Sequence, residues 1–120
     1  MALVLVIDDE MDACRLMERI VLGMGHETHC TSEGVDALRW SETNRPDLVL
    51  LDIRLKNLDG IRVLERFRER EPELKVIIVT GYPSAETASR ARELGARALL
   101  AKPLEIEELE RAIGECLDSP

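Results

Sequence analysis

The sequence predicts an α/β fold in which helices cover both faces of a five-stranded parallel sheet, a doubly wound (βα)5 arrangement. Three observations predict it. Short, continuously apolar runs are typical of strands that are buried on both faces. Segments with apolar residues at helical spacing lie between these runs. Glycines stand at many of the boundaries, where the chain must turn.

The predicted strands differ in composition along the chain. Residues 3–7 (LVLVI), 48–51 (LVLL) and 76–79 (VIIV) are continuously apolar and suit central strands. Residues 27–31 (ETHCT) are polar and β-branched, which favours an edge strand. Residues 98–101 (ALLA) carry a weaker signal of the same apolar kind, and they complete a set of five strands.

Helical patterns fill the intervals between these strands. The third segment places Ile61, Leu64 and Phe67 on one face, and the fourth opens with Ser84 in the position of a capping-box residue. Strict alternation of strands and helices predicts right-handed crossovers. The five predicted helices cover residues 11–24, 34–43, 60–70, 84–94 and 105–117.

Length and composition predict one globular domain that occupies residues 1–120. The net charge of −8 argues against direct binding of nucleic acid, which depends on Lys and Arg neutralising phosphates. No apolar run approaches the ~20 residues of a membrane helix, and the first residues lack the basic region of a signal peptide. We therefore expect a cytoplasmic protein without membrane contact.

The three cysteines, Cys14, Cys30 and Cys116, are scattered and form no C-x-x-C motif. An odd, irregular set of this kind predicts reduced thiols that pack as small apolar side chains.

Polar residues follow four of the predicted strands. Asp8, Asp9 and Glu10 follow the first, Asp52 the third, Thr80 the fourth and Lys102 the fifth. The carboxyl ends of parallel strands form the crevice in which such sheets bind ligands. Carboxylates without Cys or His favour a hard cation such as Mg²⁺, which would offset their mutual repulsion.

This set of groups suits the transfer of a phosphoryl group. Such transfer needs positioning and charge neutralisation, which a metal, the Lys102 ammonium group and the Thr80 hydroxyl would supply. An aspartate can itself be the nucleophile. We assign that role to Asp52 because it follows the central strand.

Four segments of the chain resemble the receiver domain of bacterial two-component response regulators, and the resemblance extends from about Leu3 to about Leu117. It implies the flavodoxin-like strand order 2-1-3-4-5. It also implies that Asp52 accepts a phosphoryl group from a sensor histidine kinase or a phosphotransfer protein. The segments read VIDDE, LLDIRLKNLDG, VTGYPS and LLAKPL.

The resemblance implies a role for each site residue. Asp9, Asp52 and the backbone carbonyl of Arg54 would bind Mg²⁺, with Asp8 assisting. Thr80 and Lys102 would contact the phosphoryl oxygens. A cis bond is expected between Lys102 and Pro103.

Further residues are candidates for the switch itself. Leu99 stands where the family usually has Tyr or Phe, so transmission would depend on the packing of Leu99 and on the loop with Gly81 and Tyr82. Arg54 and Tyr82 rim the site. We expect this bulky pair to slow the attack of water, a hypothesis that dephosphorylation rates of Arg54→Ala and Tyr82→Ala would test.

The resemblance implies a signalling face built from the fourth helix, the fifth strand and the fifth helix. Opposite charges there would suit a homodimer, although exposed ion pairs are weak. Output would pass to an effector protein or an output domain, with residues 118–120 as the stub of a linker or a frayed end. The domain is then a switch that promotes its own phosphorylation and hydrolysis, and it is not an enzyme with an external substrate.

Three alternatives remain open. A small phosphohydrolase or phosphotransferase with an aspartate nucleophile often has a second acid two residues later, where this chain has Arg54. A flavin- or nucleotide-binding protein would need a phosphate-binding loop after the first strand, where this chain has acids. A protein of the same fold that binds a partner without being phosphorylated is the third.

Overall fold

The computed structural model describes residues 1–54, 59–81 and 84–119, in which strands and helices alternate as predicted. No helix in these ranges is long and apolar enough to cross a membrane. The strands are β1 (Leu3–Ile7), β2 (Glu27–Thr31), β3 (Leu48–Leu51), β4 (Lys75–Thr80) and β5 (Ala98–Ala101). The helices are α1 (Met11–Gly23), α2 (Gly34–Trp40), α3 (Gly60–Arg70), α4 (Ala85–Glu93) and α5 (Ile106–Asp118).

The strands form one parallel sheet in the order β2-β1-β3-β4-β5, which confirms the predicted topology. The register pairs Ile7 of β1 with Leu51 of β3, and Leu51 with Ile78 of β4. Asp8 and Asp52 are the next residues after two paired strand ends, so both emerge at the same edge of the sheet. Thr80 of β4 pairs with Ala101 of β5, the residue before Lys102.

Two apolar layers enclose the sheet. Alternate residues of β1 face opposite sides: Val4 and Val6 pack towards α1 and α5, whereas Leu5 and Ile7 pack towards α2, α3 and α4. Because β1 and β3 are covered on both faces, their sequences are continuously apolar. Burying one such side chain contributes roughly 1.5–3 kcal/mol. The sheet therefore forms a rigid base for the polar groups at its carboxyl edge.

Helix α2 ends at Trp40, three residues before the predicted end at residue 43. The Ser41 hydroxyl donates a hydrogen bond to the Leu38 carbonyl at 2.8 Å, and the Asn44 amide donates to the Trp40 carbonyl at 2.9 Å. These side chains satisfy the last carbonyls of the helix, which stops there.

Cys14 of α1 and Cys30 of β2 form a disulfide, with their Cα atoms 6.4 Å apart. The prediction of three reduced thiols was therefore wrong for these two residues, while Cys116 is free and buried. The pairing arises because α1 packs against β2, a contact that the spacing of the cysteines along the chain does not show.

Candidate functional site

Asp8 lies at the end of β1 and is 1% exposed. Its Oδ1 atom accepts a hydrogen bond from the Glu10 backbone N–H at 2.9 Å. Its Oδ2 atom is buried and has no aligned hydrogen bond, although Lys102 Nζ lies 2.7 Å away as an ion-pair partner. Burial raises the pKa of Asp8 above its usual value, and the contact with Lys102 only partly opposes this effect.

Asp52 follows β3 and is 4% exposed. Its backbone N–H donates to the Ile7 carbonyl at 2.9 Å, which extends the pairing of β1 and β3 by one residue. Its Oδ1 atom accepts a hydrogen bond from the Arg54 N–H at 2.9 Å, so the carboxylate is held in one orientation. The second oxygen, Oδ2, points to Lys102 at 3.0 Å.

The Lys102 ammonium group lies among three carboxylates. Its Nζ atom is 2.7 Å from Asp8 Oδ2, 3.0 Å from Asp52 Oδ2 and 3.1 Å from Glu10 Oε1. Burial disfavours the charged form, but the hydrogen bonds to Asp52 and Glu10 and the ion pair with Asp8 outweigh it and raise the pKa of Lys102. The lysine is therefore a fixed positive charge beside Asp52.

Thr80 and Gly81 complete the wall next to Lys102. Thr80 is fully buried at the end of β4, and its carbonyl accepts a hydrogen bond from the Lys102 N–H at 2.9 Å. A Cβ atom at Gly81 would lie 3.9 Å from the Lys102 side chain, so this glycine lies alongside it. The Lys102–Pro103 bond is cis, as the resemblance implies.

The carboxylates of Asp8, Glu10 and Asp52 each place one oxygen within 4.8 Å of the others, a spacing that could hold a metal ion. Oxygen donors of this kind fit Mg²⁺, and the buried Asp8 Oδ2 atom without an aligned hydrogen bond supports that fit. Among the described residues this cluster contains Glu10 and not Asp9. The metal-binding role of Asp9, and that of the Arg54 carbonyl, stay predictions.

Glu10 is the site residue that the sequence did not reveal. It is the N-cap of α1. The structure shows that its side chain also reaches Lys102. The signal that could have shown this is its place in the run Asp8-Asp9-Glu10, at the edge where β5 also ends.

The structure describes some of the candidate switch residues. Leu99 is half-buried on β5 and packs against the apolar layer that includes α3 and α4. Arg54 is exposed beside Asp52. Tyr82 lies outside the described residues. The roles predicted for these residues in switching and dephosphorylation therefore stay predictions.

The model of the response regulator receiver domain family matches residues 4–114. The chain belongs to this family. The receiver domain fold and the resemblance stated from the sequence motifs are both confirmed.

Several proteins resemble this receiver domain over almost its whole length. The regulatory protein AtoC of Escherichia coli K12 is 36% identical over 95% of the chain, which spans 25% of AtoC. The sporulation initiation phosphotransferase F of Bacillus subtilis 168 is 33% identical over 95% of the chain and 92% of its own length. A CheY-like receiver domain protein from Methanospirillum hungatei JF-1 has a TM-score of 0.94 at 30% identity, over 98% of this chain and 94% of that one.

These relationships identify the general role of the chain. Receiver domains are signalling switches of two-component systems, and a role as phosphoacceptor fits the site at the carboxyl edge of the sheet. Members of the family interact with histidine kinases or phosphotransfer proteins and with output domains. The chain spans only about a quarter of several of the curated relatives that it matches.

Proposed function

We propose that this receiver domain is a switch in which Asp52 accepts a phosphoryl group from the phosphohistidine of a sensor kinase or phosphotransfer protein. The observation that carries the proposal is the placement of the Asp52 carboxylate. It is buried and held by the Arg54 N–H through Oδ1, and its Oδ2 atom lies 3.0 Å from the Lys102 ammonium group. A nucleophile and a cation are thereby fixed side by side.

The transfer forms a bond between an Asp52 carboxylate oxygen and phosphorus, and it breaks the bond between phosphorus and the histidine nitrogen. The protein contributes position and charge, since this reaction requires little covalent help. Lys102 would neutralise the negative charge on the phosphoryl oxygens, and the hydroxyl of Thr80 would donate a hydrogen bond to them. The domain thus promotes its own phosphorylation and later hydrolysis.

A divalent cation is part of this proposal. Asp8, Asp9, Asp52 and the Arg54 carbonyl would hold Mg²⁺, which when bound supplies positive charge to the phosphoryl oxygens and to the clustered carboxylates. The Asp8 and Asp52 carboxylates place oxygens within 4.8 Å of each other, which supports this role because a divalent cation can bind both.

The signal would leave through the face formed by α4, β5 and α5. Phosphorylation would shift the chain between two conformations that differ in their affinity for a partner. Leu99 would relay the change from Thr80 by its packing, because β5 pairs with β4. The partner would be an output domain, an effector protein or a second copy of this domain, within the cytoplasm.

The experiment is intact-mass measurement after incubation with acetyl phosphate and Mg²⁺. We expect wild type to gain one phosphoryl group, and Asp52→Asn to gain none, because the nucleophilic oxygen is lost. Asp36→Asn is the matched control, since it removes an exposed carboxylate from α2 and should label as wild type does. Chelation of Mg²⁺ should slow labelling by at least about tenfold.

Labelling of Asp52→Asn at the wild-type rate would contradict the assignment of Asp52. No labelling of wild type, with acetyl phosphate or with a phosphorylated histidine phosphotransfer protein, would contradict the proposed function. The domain would then be a binding module that is not phosphorylated.

A further inference from the structure

Glu10 contacts the site in a way that its position on α1 does not require. As the N-cap residue of α1 it makes no side-chain capping hydrogen bond. Its side chain is 66% exposed, yet Oε1 lies 3.1 Å from Lys102 Nζ, a residue 92 positions later in the chain. The side chain therefore extends across the open side of the site and contacts Lys102.

The three carboxylates around Lys102 differ in their exposure. The side chains of Asp8 and Asp52 are 0% and 4% exposed, so they contact the ammonium group from the interior. Glu10 contacts it from the solvent side. An incoming phosphoryl group must approach Asp52 from solvent, which is the side on which Glu10 contacts Lys102.

We propose that Glu10 is a positioning residue, which holds the Lys102 ammonium group while Asp52 is unphosphorylated and gives way to the phosphoryl group during transfer. The inference rests on the proposed function and adds a step to it. The exchange replaces one charge-assisted hydrogen bond by another, so Lys102 stays paired throughout.

Glu10 would affect metal binding and phosphoryl transfer in opposite directions. Its negative charge attracts Mg²⁺, and its contact with Lys102 reduces the competition of that lysine for Asp8 and Asp52. During transfer the same carboxylate competes with the phosphoryl group for Lys102 and repels an anionic phosphodonor. A residue with a merely structural role would not change the two quantities with opposite signs.

The test compares Glu10→Gln with Glu105→Gln. Glu105 is the exposed N-cap residue of α5 and makes no side-chain capping hydrogen bond, so its substitution removes the same charge from an equivalent position. Calorimetric titration of the unphosphorylated protein with Mg²⁺ measures its affinity for the metal. We expect Glu10→Gln to weaken Mg²⁺ binding roughly fivefold, as expected for the loss of one partly exposed charge near a divalent cation.

The second measurement is the rate of phosphorylation by acetyl phosphate at saturating Mg²⁺, which intact-mass spectra monitor over time. Here Glu10→Gln should react roughly two- to fivefold faster than wild type, because an exposed ion pair of ordinary strength no longer holds Lys102. Glu105→Gln should differ from wild type in neither measurement.

Opposite changes in Glu10→Gln alone would support the inference. Two outcomes would overturn it: equal effects of both variants, which indicate a general effect of charge, or a slower reaction of Glu10→Gln, which would mean that Glu10 assists the transfer and does not compete with it. Failure of wild type to be phosphorylated would refute the proposed function instead. Failure of the inference about Glu10 appears only in the variants, whereas failure of the proposed function appears in wild type, so the two are distinguishable.

Discussion

Gly60 lies directly against the backbone that carries Asp52. A Cβ atom there would lie 2.5 Å from the Asp52 carbonyl oxygen and 2.5 Å from Ile53 Cα, closer than real contacts allow. The Gly60 N–H donates to the Ile53 carbonyl at 2.8 Å, so α3 begins in contact with this segment. The absence of a side chain at this position is therefore a condition for the position of Asp52.

Gly60→Ala should lower the free energy of unfolding by about 2 kcal/mol, because the new methyl group meets backbone atoms that cannot move aside. It should also slow phosphorylation of Asp52 by displacing its backbone. Gly114→Ala is the matched control, since nothing lies within 4 Å of the added atom inside α5. Helix propensity predicts that this control raises stability by roughly 0.5–1 kcal/mol. Urea unfolding measures the stability of both variants. Equal changes in Gly60→Ala and Gly114→Ala would contradict the steric explanation.

At the residue scale the sequence predicted the groups that follow strands and missed the contacts that cross between elements. Asp8, Asp52 and Lys102 could be predicted because parallel strands end at a shared edge. The contact of Glu10 with Lys102 depends on how far one side chain extends, which no spacing encodes. The close approach of Gly60 to Asp52 could not be predicted for the same reason.

Helix α4 depends on its first turn more than the other helices do. Ala91 is its one buried residue, so apolar packing contributes little to it. Ser84 and Thr87 form a capping box in which the Ser84 hydroxyl accepts from the Thr87 N–H at 3.1 Å, and Thr87 Oγ1 accepts from the Ser84 N–H at 3.2 Å. The exposed ion pairs of Arg90 with Glu65 and Glu93 add little, as such pairs usually do.

Ser84→Ala should therefore destabilise α4 locally. A lost N-cap reduces helix stability by about 1 kcal/mol, which corresponds to roughly fivefold faster amide hydrogen exchange in residues 85–93. Mass spectrometry or NMR measures the rate of amide hydrogen exchange in these residues. Ser32→Ala is the control, since Ser32 is exposed and is not the N-cap of a helix. Unchanged exchange in α4 would show that packing alone holds the helix.

At the element scale the strands could be predicted closely because burial on both faces imposes a continuous apolar sequence. Helix ends were harder, since they depend on local hydrogen bonds. The bonds from Ser41 and Asn44 shorten α2, whereas the capping box that the sequence indicated at Ser84 is present.

For the molecule as a whole, folding gathers negative charge at one edge of the sheet in a chain that already carries a net charge of −8. Burial of Asp8 is unfavourable for its charged form, and it raises the pKa of this carboxyl above the usual value. A raised pKa means that the ionised carboxylate destabilises the folded state at neutral pH. The ionised Asp8 carboxylate thus lowers the stability of the metal-free protein, whereas the surrounding carboxylates raise the pKa of Lys102 and stabilise its charged form.

Asp8→Asn should raise the free energy of unfolding in the absence of divalent metal by roughly 1 kcal/mol, a size typical of single substitutions. It should also weaken the stabilisation by Mg²⁺. Wild type should gain about 1.4 kcal/mol when Mg²⁺ is present at ten times its Kd, because binding to the folded state shifts the equilibrium. Urea unfolding with chelator and with Mg²⁺, at matched ionic strength, measures both effects.

The pH dependence of the stability gained by Asp8→Asn distinguishes burial of the Asp8 charge from other causes of that gain. Since the folded-state pKa is raised, the penalty of ionised Asp8 is present at neutral pH. It disappears as pH falls through that raised pKa towards the usual value near 4. The stability advantage of Asp8→Asn in the metal-free protein should therefore shrink over the same interval. An advantage that does not change with pH would assign the effect to packing, and a loss of stability at neutral pH would show that the ion pair with Lys102 outweighs burial.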